Sequence, residues 1–385
     1  TTSTSSQEHP PALDLARRLN AEVLDPLKQS FVGKDEIIDL LGLCLVGGEN
    51  LFLLGPPGTA KTAIVHELAA RLEGRSFDYL LTRFTEPNEL FGPFDLRKLR
   101  EGELLTNTEG MLPEASLVFL DELLNANSAI LNSLLLALNE RLFRRGKESR
   151  RLKALMFIGA SNRLPEDDAL KALFDRFLLR VRSDNVPPEQ LRAVLDAGWK
   201  LQRTEGPRTA TLHFEDVETL QQLIPLVDLG EIRGAYPEVV QRVRHAGIPI
   251  SDRRAVKLQR LIAASAVLSL RQTARVSDLW ILKHIWDTEE QREVLQSLVE
   301  ATIAHAAPAE GDHPRARASE EADAEGLARD LEAIAAKLPK ADATEAAYLR
   351  DRLGILDGRC QWVQDAEKRA FLAQGVADLW AQFGR

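Results

Sequence analysis

Lys61 and Thr62 follow a turn that is rich in glycine and proline, and a run of four apolar residues, 51–54, precedes this turn. The order is typical of a strand, a phosphate-binding loop and the first turn of a helix. Glycine lets the backbone approach a polyphosphate closely, and the N–H groups at a helix start attract anions. A lysine can then reach the β- and γ-phosphates, while a threonine hydroxyl can bind Mg²⁺. The pattern predicts a nucleotide site formed by Gly55, Pro56, Pro57, Gly58, Thr59, Ala60, Lys61 and Thr62.

Ala60 is a departure from the usual pattern G-x-x-x-x-G-K-[ST], because it stands where the last glycine is expected. Alanine fits this position if the residue is already right-handed helical, and we predict that conformation. The alternative interpretation of the segment is an ordinary turn between a strand and a helix. Other residues of the chain are needed to distinguish a nucleotide site from an ordinary turn.

Asp121 and Glu122 follow a second apolar run, 117–120, and Asp121 comes sixty residues after Lys61. Beside a phosphate-binding loop, one carboxylate holds the metal ion and the next orients or deprotonates the attacking water. A lone Asp-Glu pair could equally be a solvated strand end, but its combination with the loop favours nucleotide hydrolysis. We predict Thr62 and Asp121 as Mg²⁺ ligands and Glu122 as the residue that activates water.

Asn162 follows a third apolar run, residues 154–160. A polar side chain at the tip of a strand beside the loop-bearing strand can hydrogen-bond the γ-phosphate or the attacking water. Asn162 is therefore a candidate catalytic residue.

Composition restricts the possible classes of protein. The chain has 385 residues, 44% of them hydrophobic and 28% charged, and a net charge of −9, which argues against general binding to nucleic acid. Cys44 and Cys360 lie far apart without metal-ligand spacing, so we expect two buried thiols in a reducing cytoplasm. No apolar run approaches the roughly 18 residues of a membrane helix. Residues 1–11 lack a signal-peptide core, and we therefore predict a cytoplasmic protein.

Apolar runs and helical periodicity alternate up to about residue 183, which predicts an α/β fold with a mostly parallel sheet. Beyond it the pattern is helical only. Two segments interrupt the alternation: residues 94–108, predicted as a hairpin of Phe94 to Leu99 with Glu103 to Thr108, and a basic hairpin at 141–153 with Gly146 at its tip. The predicted divisions are a disordered start (1–11), a nucleotide-binding core (12–183), an all-α lid (184–305), a linker (306–326) and a helical C-terminal segment (327–385).

Several motifs together are similar to those of the MoxR branch of the AAA+ ATPases, over about residues 12–305. They are the loop with alanine before its lysine, Gly110-Met-Leu-Pro-Glu-Ala115, Leu117-Val-Phe-Leu-Asp-Glu122, Leu138-Asn-Glu-Arg141, Ala160-Ser-Asn162 and Phe174-Asp-Arg-Phe177. Within this branch, residues 82–93 and Ser251-Asp-Arg-Arg254 most resemble the regulatory ATPase variant A group. Residues 306–385 depart from the group's longest members and match no part of them that we can place.

The resemblance implies an AAA+ P-loop core and lid in a ring, usually of six subunits, with Mg²⁺ and ATP or ADP at each subunit boundary. It further implies that 94–108 is the helix-2 insert of this branch and 141–153 the hairpin before sensor 1. The residue roles that it implies are adenine contact for Val32 and Gly33, sensor 1 for Asn162, a trans-acting arginine finger for Arg176, and sensor 2 for Arg253 with Arg254 as the alternative. Without the resemblance, an ion pair of Arg176 with Asp175 or Asp184 would be the preferred interpretation.

The predicted function is that of an ATP-hydrolysing remodeller or maturation factor for a client protein, working with a partner that bears a von Willebrand factor A domain, as relatives commonly do. Two alternatives stay open. A DNA-directed motor is supported only by the basic hairpin, and a salt-dependent DNA affinity would reveal it. An ATP-gated scaffold without hydrolysis is disfavoured by the presence of Lys61, Asp121 and Glu122, and a turnover assay separates it.

The first testable prediction concerns Glu122 and Lys61. Glu122→Gln should bind ATP but lose turnover, because the phosphate contacts and the predicted metal ligand remain while water activation is removed. Lys61→Ala should weaken ATP binding itself. Nucleotide binding and phosphate release measured on both variants check the assignment, and turnover of Glu122→Gln at the parental rate would show that Glu122 does not activate water.

Overall fold

The structure, a computed structural model, describes residues 11–186, 188–203, 212–317, 324–340 and 366–383, together with residues 346, 349–350, 353–354, 356–357 and 360. Two compact units make up the chain, Thr1–His313 and Pro314–Arg385. Among the described residues, no helix is both long and apolar enough to cross a membrane.

A five-stranded parallel sheet forms the core of the first unit, in the spatial order β2-β3-β6-β1-β7. Its strands are β1 (Leu51–Leu54), β2 (Ser76–Leu80), β3 (Leu117–Asp121), β6 (Met156–Ser161) and β7 (Leu179–Arg182), while β4 (Leu142–Arg145) and β5 (Glu148–Arg151) form a separate antiparallel pair. All four residues of β1 are buried, as expected for a central parallel strand covered on both faces. The sheet confirms the predicted fold class.

Helices alternate with these strands along the chain. Their bounds are α1 (Pro11–Arg18), α2 (Asp25–Ser30), α3 (Asp35–Gly47), α4 (Lys61–Arg71), α5 (Pro87–Phe91), α6 (Leu96–Arg100), α7 (Ser128–Glu140) and α8 (Asp168–Phe174). The longer ones, such as α3, α4 and α7, each bury an apolar stripe. In α4, Ile64, Val65 and Leu68 are buried at helical spacing. The Asn127 side chain caps α7, since it accepts from the backbone N–H groups of Ala129 and Ile130 in the first turn.

The hairpin predicted at 94–108 is wrong. The segment contains helix α6, and its antiparallel pairing is a single bridge between Phe94 and Thr106. The helix forms because the Asp95 carboxylate accepts from Arg97 N at 2.8 Å as an N-cap, and the residues Leu-Arg-Lys-Leu-Arg that follow favour helix. The basic hairpin, by contrast, is present as β4 and β5, with Gly146 at φ 59° in its turn.

The 94–108 segment and the basic hairpin pack on each other. The Arg145 guanidinium lies 3.8 Å from the centroid of the Phe94 ring, and its Nη1 donates to the Gly92 carbonyl at 2.8 Å. Thr106 N donates to the Glu148 carboxylate at 3.0 Å. The two segments therefore form one surface, called here the insert–hairpin surface (residues 94–108 and 142–151).

Beyond β7 the described residues of the first unit form helices: α9 (Leu191–Arg203), α10 (Phe214–Leu223), α11 (Ala235–His245), α12 (Asp252–Leu268) and α13 (Glu290–Ala304). The segment from Ser277 to about His305 is not one continuous helix. It divides into a 3₁₀ segment, Val276–His284, and α13. The break occurs because Arg180 and Arg254 take up the carbonyls of Ile285 and Trp286 that a continuous helix would use.

Two predicted boundaries need correction. Residues 306–313 do not form a linker, because the Asp312 carboxylate accepts from Ser277 Oγ at 2.9 Å and the His313 ring stacks on Trp280 at 4.7 Å. The second unit contains α14 (Pro314–Arg317), α15 (Ala324–Lys337) and α16 (Ala366–Phe383), and its own core includes Leu331, Leu353, Leu372 and Val376. Residues 1–10 and 318–323 of the predicted disordered start and linker lie outside the described residues, and Pro11 already begins α1.

Candidate nucleotide-binding and hydrolysis site

The candidate residues meet at the carboxyl edge of the parallel sheet. Leu54, the last residue of β1, lies opposite Ser161 of β6 and Arg182 of β7. Asp121 ends β3, which pairs with β6 on the side away from β1. The phosphate-binding loop therefore begins beside the end of β6, after which Asn162 follows, and one strand away from Asp121 at the end of β3. This edge of an open parallel sheet is where ligands bind in α/β proteins.

The phosphate-binding loop is held by its neighbours. An added Cβ on Gly55 would lie 2.2 Å from the Ser183 carbonyl oxygen, so only glycine fits, and Gly55 N donates to Ser161 O at 2.9 Å. Thr59 Oγ1 donates to Pro56 O at 3.1 Å and accepts from Ser183 Oγ at 3.0 Å. Residues 56–58 stay exposed. The loop thus presents a fixed backbone to solvent, as an anion cradle requires.

Ala60 has a left-handed backbone, with φ 64° and ψ 15°. The right-handed conformation predicted from the sequence is therefore wrong. Ala60 is the N-cap of α4, and the tight entry from the loop, in which Gly58 also has a positive φ of 80°, imposes the left-handed turn. For alanine this conformation costs roughly 1–2 kcal/mol. The same geometry explains why glycine is usual at this position.

Lys61 begins α4 and is buried, and its ammonium donates to the carbonyls of Gly55 at 2.9 Å and Pro56 at 2.8 Å. Burial lowers the pKa of the Lys61 ammonium, while the charges of Asp121 and Glu122 oppose this shift. Thr62 follows in the same helical turn and is partly buried. A cation at the helix start thus faces the two carboxylates across the site.

Glu122 has a left-handed backbone, φ 49°, and its N–H donates to Asp121 Oδ1 at 2.9 Å. Burial raises the pKa of the Glu122 carboxyl, and so does the charge of Asp121, while Lys61 and Arg163 oppose the shift. A raised pKa brings a carboxylate closer to the range in which it accepts a proton at neutral pH. Backbone strain of this kind concentrates at functional sites.

Sequence reasoning missed two cations at this edge. Arg163, directly after Asn162, lies close to Glu122 and donates to Asn125 Oδ1 at 3.4 Å. Lys34 donates to the Asp184 carbonyl at 2.5 Å, and burial, opposed by Asp184 and reinforced by the Lys61 charge, lowers the pKa of its ammonium. Their positions in the sequence could have identified both cations, because Arg163 directly follows Asn162 and Lys34 directly follows Gly33. Asn162 itself is exposed at the end of β6.

Val32 and Gly33 lie against the segment that connects β7 to α9. Gly33 has φ 73°, and an added Cβ would lie 2.7 Å from Gln190 Oε1 and 2.8 Å from Val186 Cγ1. This close packing brings residues 186 and 190 beside the residues predicted to contact adenine.

The two candidate sensor-2 arginines differ in exposure. Arg254 is buried, with Nη2 donating to Ile285 O at 2.6 Å and Nη1 3.3 Å from the Asp287 carboxylate. Arg253 is exposed at the start of α12. The guanidinium of Arg254 is therefore occupied by contacts within its own chain. Arg253 is the remaining candidate for contact with a ligand.

Arg176 is not brought to the other candidate residues. It lies between α8 and β7, and its carbonyl accepts from the Asn50 side chain at 3.1 Å directly before β1. Arg176 is thus at the amino edge of the sheet, opposite the phosphate-binding loop. The site residues of one chain lie on two opposite edges of its sheet.

The donor set at the carboxyl edge fits a magnesium–nucleoside triphosphate. A helix start, a rigid exposed loop backbone and a buried ammonium suit the phosphates, and a hydroxyl with one carboxylate suits a hard cation that keeps part of its water shell. The second carboxylate is free for proton transfer. A parallel sheet with this site, followed by a helical region, defines a P-loop ATPase of the AAA+ class.

Comparisons with known proteins agree. The sequence model described as "MoxR domain in the MoxR-vWA-beta-propeller ternary systems" matches residues 17–222, and a model described as an AAA lid domain matches residues 227–299. A crystal structure of a protein from Cytophaga hutchinsonii, assigned as an ATPase, shares the fold with a TM-score of 0.63 at 19% identity, over 77% of this chain and 96% of its own.

Curated relatives extend this result. An uncharacterised protein of Methanocaldococcus jannaschii is 34% identical over 69% of this chain and 70% of its own length. The chaperone MoxR1 of Mycobacterium tuberculosis is 26% identical over 44% of this chain and 45% of its own. This chain belongs to the MoxR family of AAA+ ATPases.

The second prediction concerns the strained Ala60. Ala60→Gly should leave ATP binding intact and raise stability by up to about 1 kcal/mol, because relief of the left-handed strain outweighs the added freedom of the unfolded chain. Ala70→Gly, the same change on the exposed face of α4, should lower stability by about 1 kcal/mol. Denaturant midpoints measure both, and equal destabilisation by the two changes would exclude strain at Ala60.

Proposed function

We propose that this protein is a Mg²⁺-dependent ATPase that works as a ring, usually of six copies, and remodels or matures a partner protein. The observation that carries the proposal is the position of Arg176 at the sheet edge opposite to the phosphate-binding loop. A head-to-tail ring brings this edge of one copy to the nucleotide of the next. Hydrolysis then depends on assembly.

Within one site, Lys61 and the N–H groups of the loop bind phosphate oxygens, Thr62 and Asp121 hold Mg²⁺, and Glu122 takes the proton of the attacking water. Bound Mg²⁺ supplies charge stabilisation at the phosphates. Asn162 orients the water by a hydrogen bond. Arg253 approaches the phosphates from α12 of the same chain, and Arg163 lies near Glu122 on the exposed side.

Arg176 suits a role in trans. Among the described residues, Arg176 forms no ion pair within the chain. Asp184, one of the two acids considered for it, pairs with Arg182 at 2.8 Å instead. The Nε of Arg176 is buried without a hydrogen-bond partner within the described part of the chain, and the residue as a whole is partly exposed. Phe174 and Phe177 on either side are buried and anchor the turn. The turn that carries Arg176 is therefore fixed, and Arg176 within it is partly exposed.

The insert–hairpin surface is the candidate contact for the partner. Leu96 is 70% and Leu99 48% exposed, and Phe84 nearby in the chain is 82% exposed. Exposed apolar side chains gathered on one surface indicate a protein contact. The matching family model describes systems that combine a MoxR domain with a von Willebrand factor A domain and a β-propeller, which supports a partner bearing a von Willebrand factor A domain.

A DNA-directed motor is disfavoured. The positive charge at the hairpin is partly neutralised, because Glu114 pairs with Arg150 at 3.0 Å and Lys153 at 2.7 Å. Phosphate-backbone binding depends on free cations. Membership of the regulatory ATPase variant A subgroup and a cytoplasmic location stay predictions.

The third prediction tests Arg176. Arg176→Ala should bind ATP nearly normally and hydrolyse it slowly, since an arginine finger contributes ~10³-fold or more in rate. Mixing Arg176→Ala with Glu122→Gln subunits should restore turnover, because some boundaries then join an intact Arg176 to an intact Glu122. The measurement is ATPase rate against mixing ratio.

Mixed rings must be shown to form, for example by co-purification of differently tagged subunits. If they form and no ratio restores activity, Arg176 does not act as an independent finger in trans. Arg144→Ala, on the exposed face of the hairpin, is the matched arginine control and should retain turnover.

The fourth prediction tests the partner surface. The double variant Leu96→Ser, Leu99→Ser should keep basal ATP turnover and lose retention of a von Willebrand factor A-domain protein on the ATP-bound Glu122→Gln background. Leu226→Ser, which changes a leucine that is 77% exposed elsewhere in the first unit, should retain the partner. Affinity capture with mass spectrometry measures both, and equal retention by the two variants would place the partner contact elsewhere.

A further inference from the structure

Asn50 is buried directly before β1 and joins four segments through one amide. Its Nδ2 donates to the Arg176 carbonyl at 3.1 Å. Its Oδ1 accepts from Arg141 Nη2 at 2.8 Å and from Phe157 N at 3.2 Å. The orientation of the amide follows from chemistry, because a carbonyl can only accept and the other two groups can only donate. Asn50 is 2% exposed, so these bonds form away from water.

The bond to Arg176 sets the direction of the turn that carries the finger. Phe174 and Phe177 pack edge-on against Phe52 of β1, with ring centroids 4.8 Å and 5.7 Å apart. Such apolar contacts hold the turn against the sheet but are not strongly directional. The hydrogen bond from Asn50 is directional, and it ends on the backbone of Arg176 itself. It therefore fixes the peptide plane from which the side chain of Arg176 projects.

Arg141 holds Asn50 in turn. It caps α7 with a left-handed backbone, φ 54°, and its guanidinium lies 4.7 Å from the centroid of the Phe157 ring. Burial lowers the pKa of Arg141 to about 10, opposed by the charge of Glu49. A left-handed backbone at a residue with a long side chain is strained, and it persists only where contacts with the surrounding structure hold it in place. Arg141 directly precedes β4, so the same contact joins the finger turn to the basic hairpin.

We propose that Asn50, held by Arg141, is a positioning residue for Arg176: it orients the finger turn so that the guanidinium reaches the nucleotide of a neighbouring copy. The inference rests on the role of Arg176 in trans proposed above. A buried asparagine that only stabilised β1 would act on its own chain's phosphate-binding loop, because β1 leads directly into Gly55. The two roles therefore affect different sites in a ring, the neighbour's in one case and the chain's own in the other.

Asn50→Asp is the sharpest variant. It keeps the acceptor for Arg141 and Phe157 N, and it replaces the donor to the Arg176 carbonyl with an oxygen that repels it. Homogeneous Asn50→Asp rings should bind ATP within about twofold of the parent and turn over about 10- to 100-fold more slowly, the range expected for a misplaced catalytic group. Nucleotide titration and steady-state ATPase rates measure the two effects.

Subunit mixing separates positioning from damage to the chain's own site. Asn50→Asp should recover turnover when mixed with Glu122→Gln, whose Arg176 is intact, and should not recover when mixed with Arg176→Ala, because neither subunit then supplies a working finger. The reverse pattern, recovery with Arg176→Ala alone, would overturn the inference and show that Asn50 serves its own loop. Unchanged turnover in homogeneous Asn50→Asp would overturn it as well.

Two controls complete the experiment. If Arg176→Ala and Glu122→Gln fail to complement each other in demonstrably mixed rings, the finger role itself falls, and the inference about Asn50 falls with it. If Asn50→Asp does not fold, as judged by its denaturant midpoint, Arg141→Met serves in its place, since it keeps the volume of the side chain and removes the donor that holds Asn50. It should show the same mixing pattern with a smaller loss of rate, and the reverse pattern would again overturn the inference.

Discussion

The close approach of β1 and β7 at their carboxyl ends is the constraint on which the site depends. The Ser183 carbonyl passes so near Gly55 that a Cβ would lie 2.2 Å from it, and Ser183 N donates to Leu54 O at 2.8 Å. On the other side, Gly55 N donates to Ser161 O. The phosphate-binding loop therefore leaves the sheet from a point fixed by both neighbouring strands. Its backbone is oriented before a ligand arrives, which spares the cost of ordering the loop on binding.

A buried cluster of charges ties the helical region to this sheet. Arg180 of β7 is fully buried and shares the Asp287 carboxylate, 2.9 Å away, with Arg254 of α12. Burial, together with the charge of Arg254, lowers the pKa of Arg180 to about 9, although Asp287 opposes the shift. Two cations around one acid tolerate burial because the backbone carbonyls of 285 and 286 accept further N–H groups, although Nε of each arginine has no partner among the described residues. The start of α12, with the exposed Arg253, is thereby held in a fixed relation to β7.

The two edges of the sheet divide the proposed chemistry between copies of the chain. The carboxyl edge carries the loop, the two carboxylates and Asn162, and the amino edge carries Asn50, Arg141 and the turn of Arg176. Parallel strands impose this division, since every strand begins at one edge and ends at the other. In a ring, the amino edge of one copy would face the carboxyl edge of the next, so that both edges contribute to each nucleotide site.

The linear sequence was sufficient for the parts that depend on local patterns. Four apolar residues before Gly55 and the pair Asp121-Glu122 after an apolar run each specify a strand and the loop that follows it through neighbours in the chain, and the parallel sheet confirmed this alternation. Tertiary structure decided what depends on distant neighbours. The left-handed Ala60 follows from the entry of the loop into α4, the break before α13 follows from arginines of β7 and α12, and the bond from Asn50 to Arg176 joins residues 126 positions apart. No periodicity or motif encodes such contacts, because they arise only when the chain has already packed.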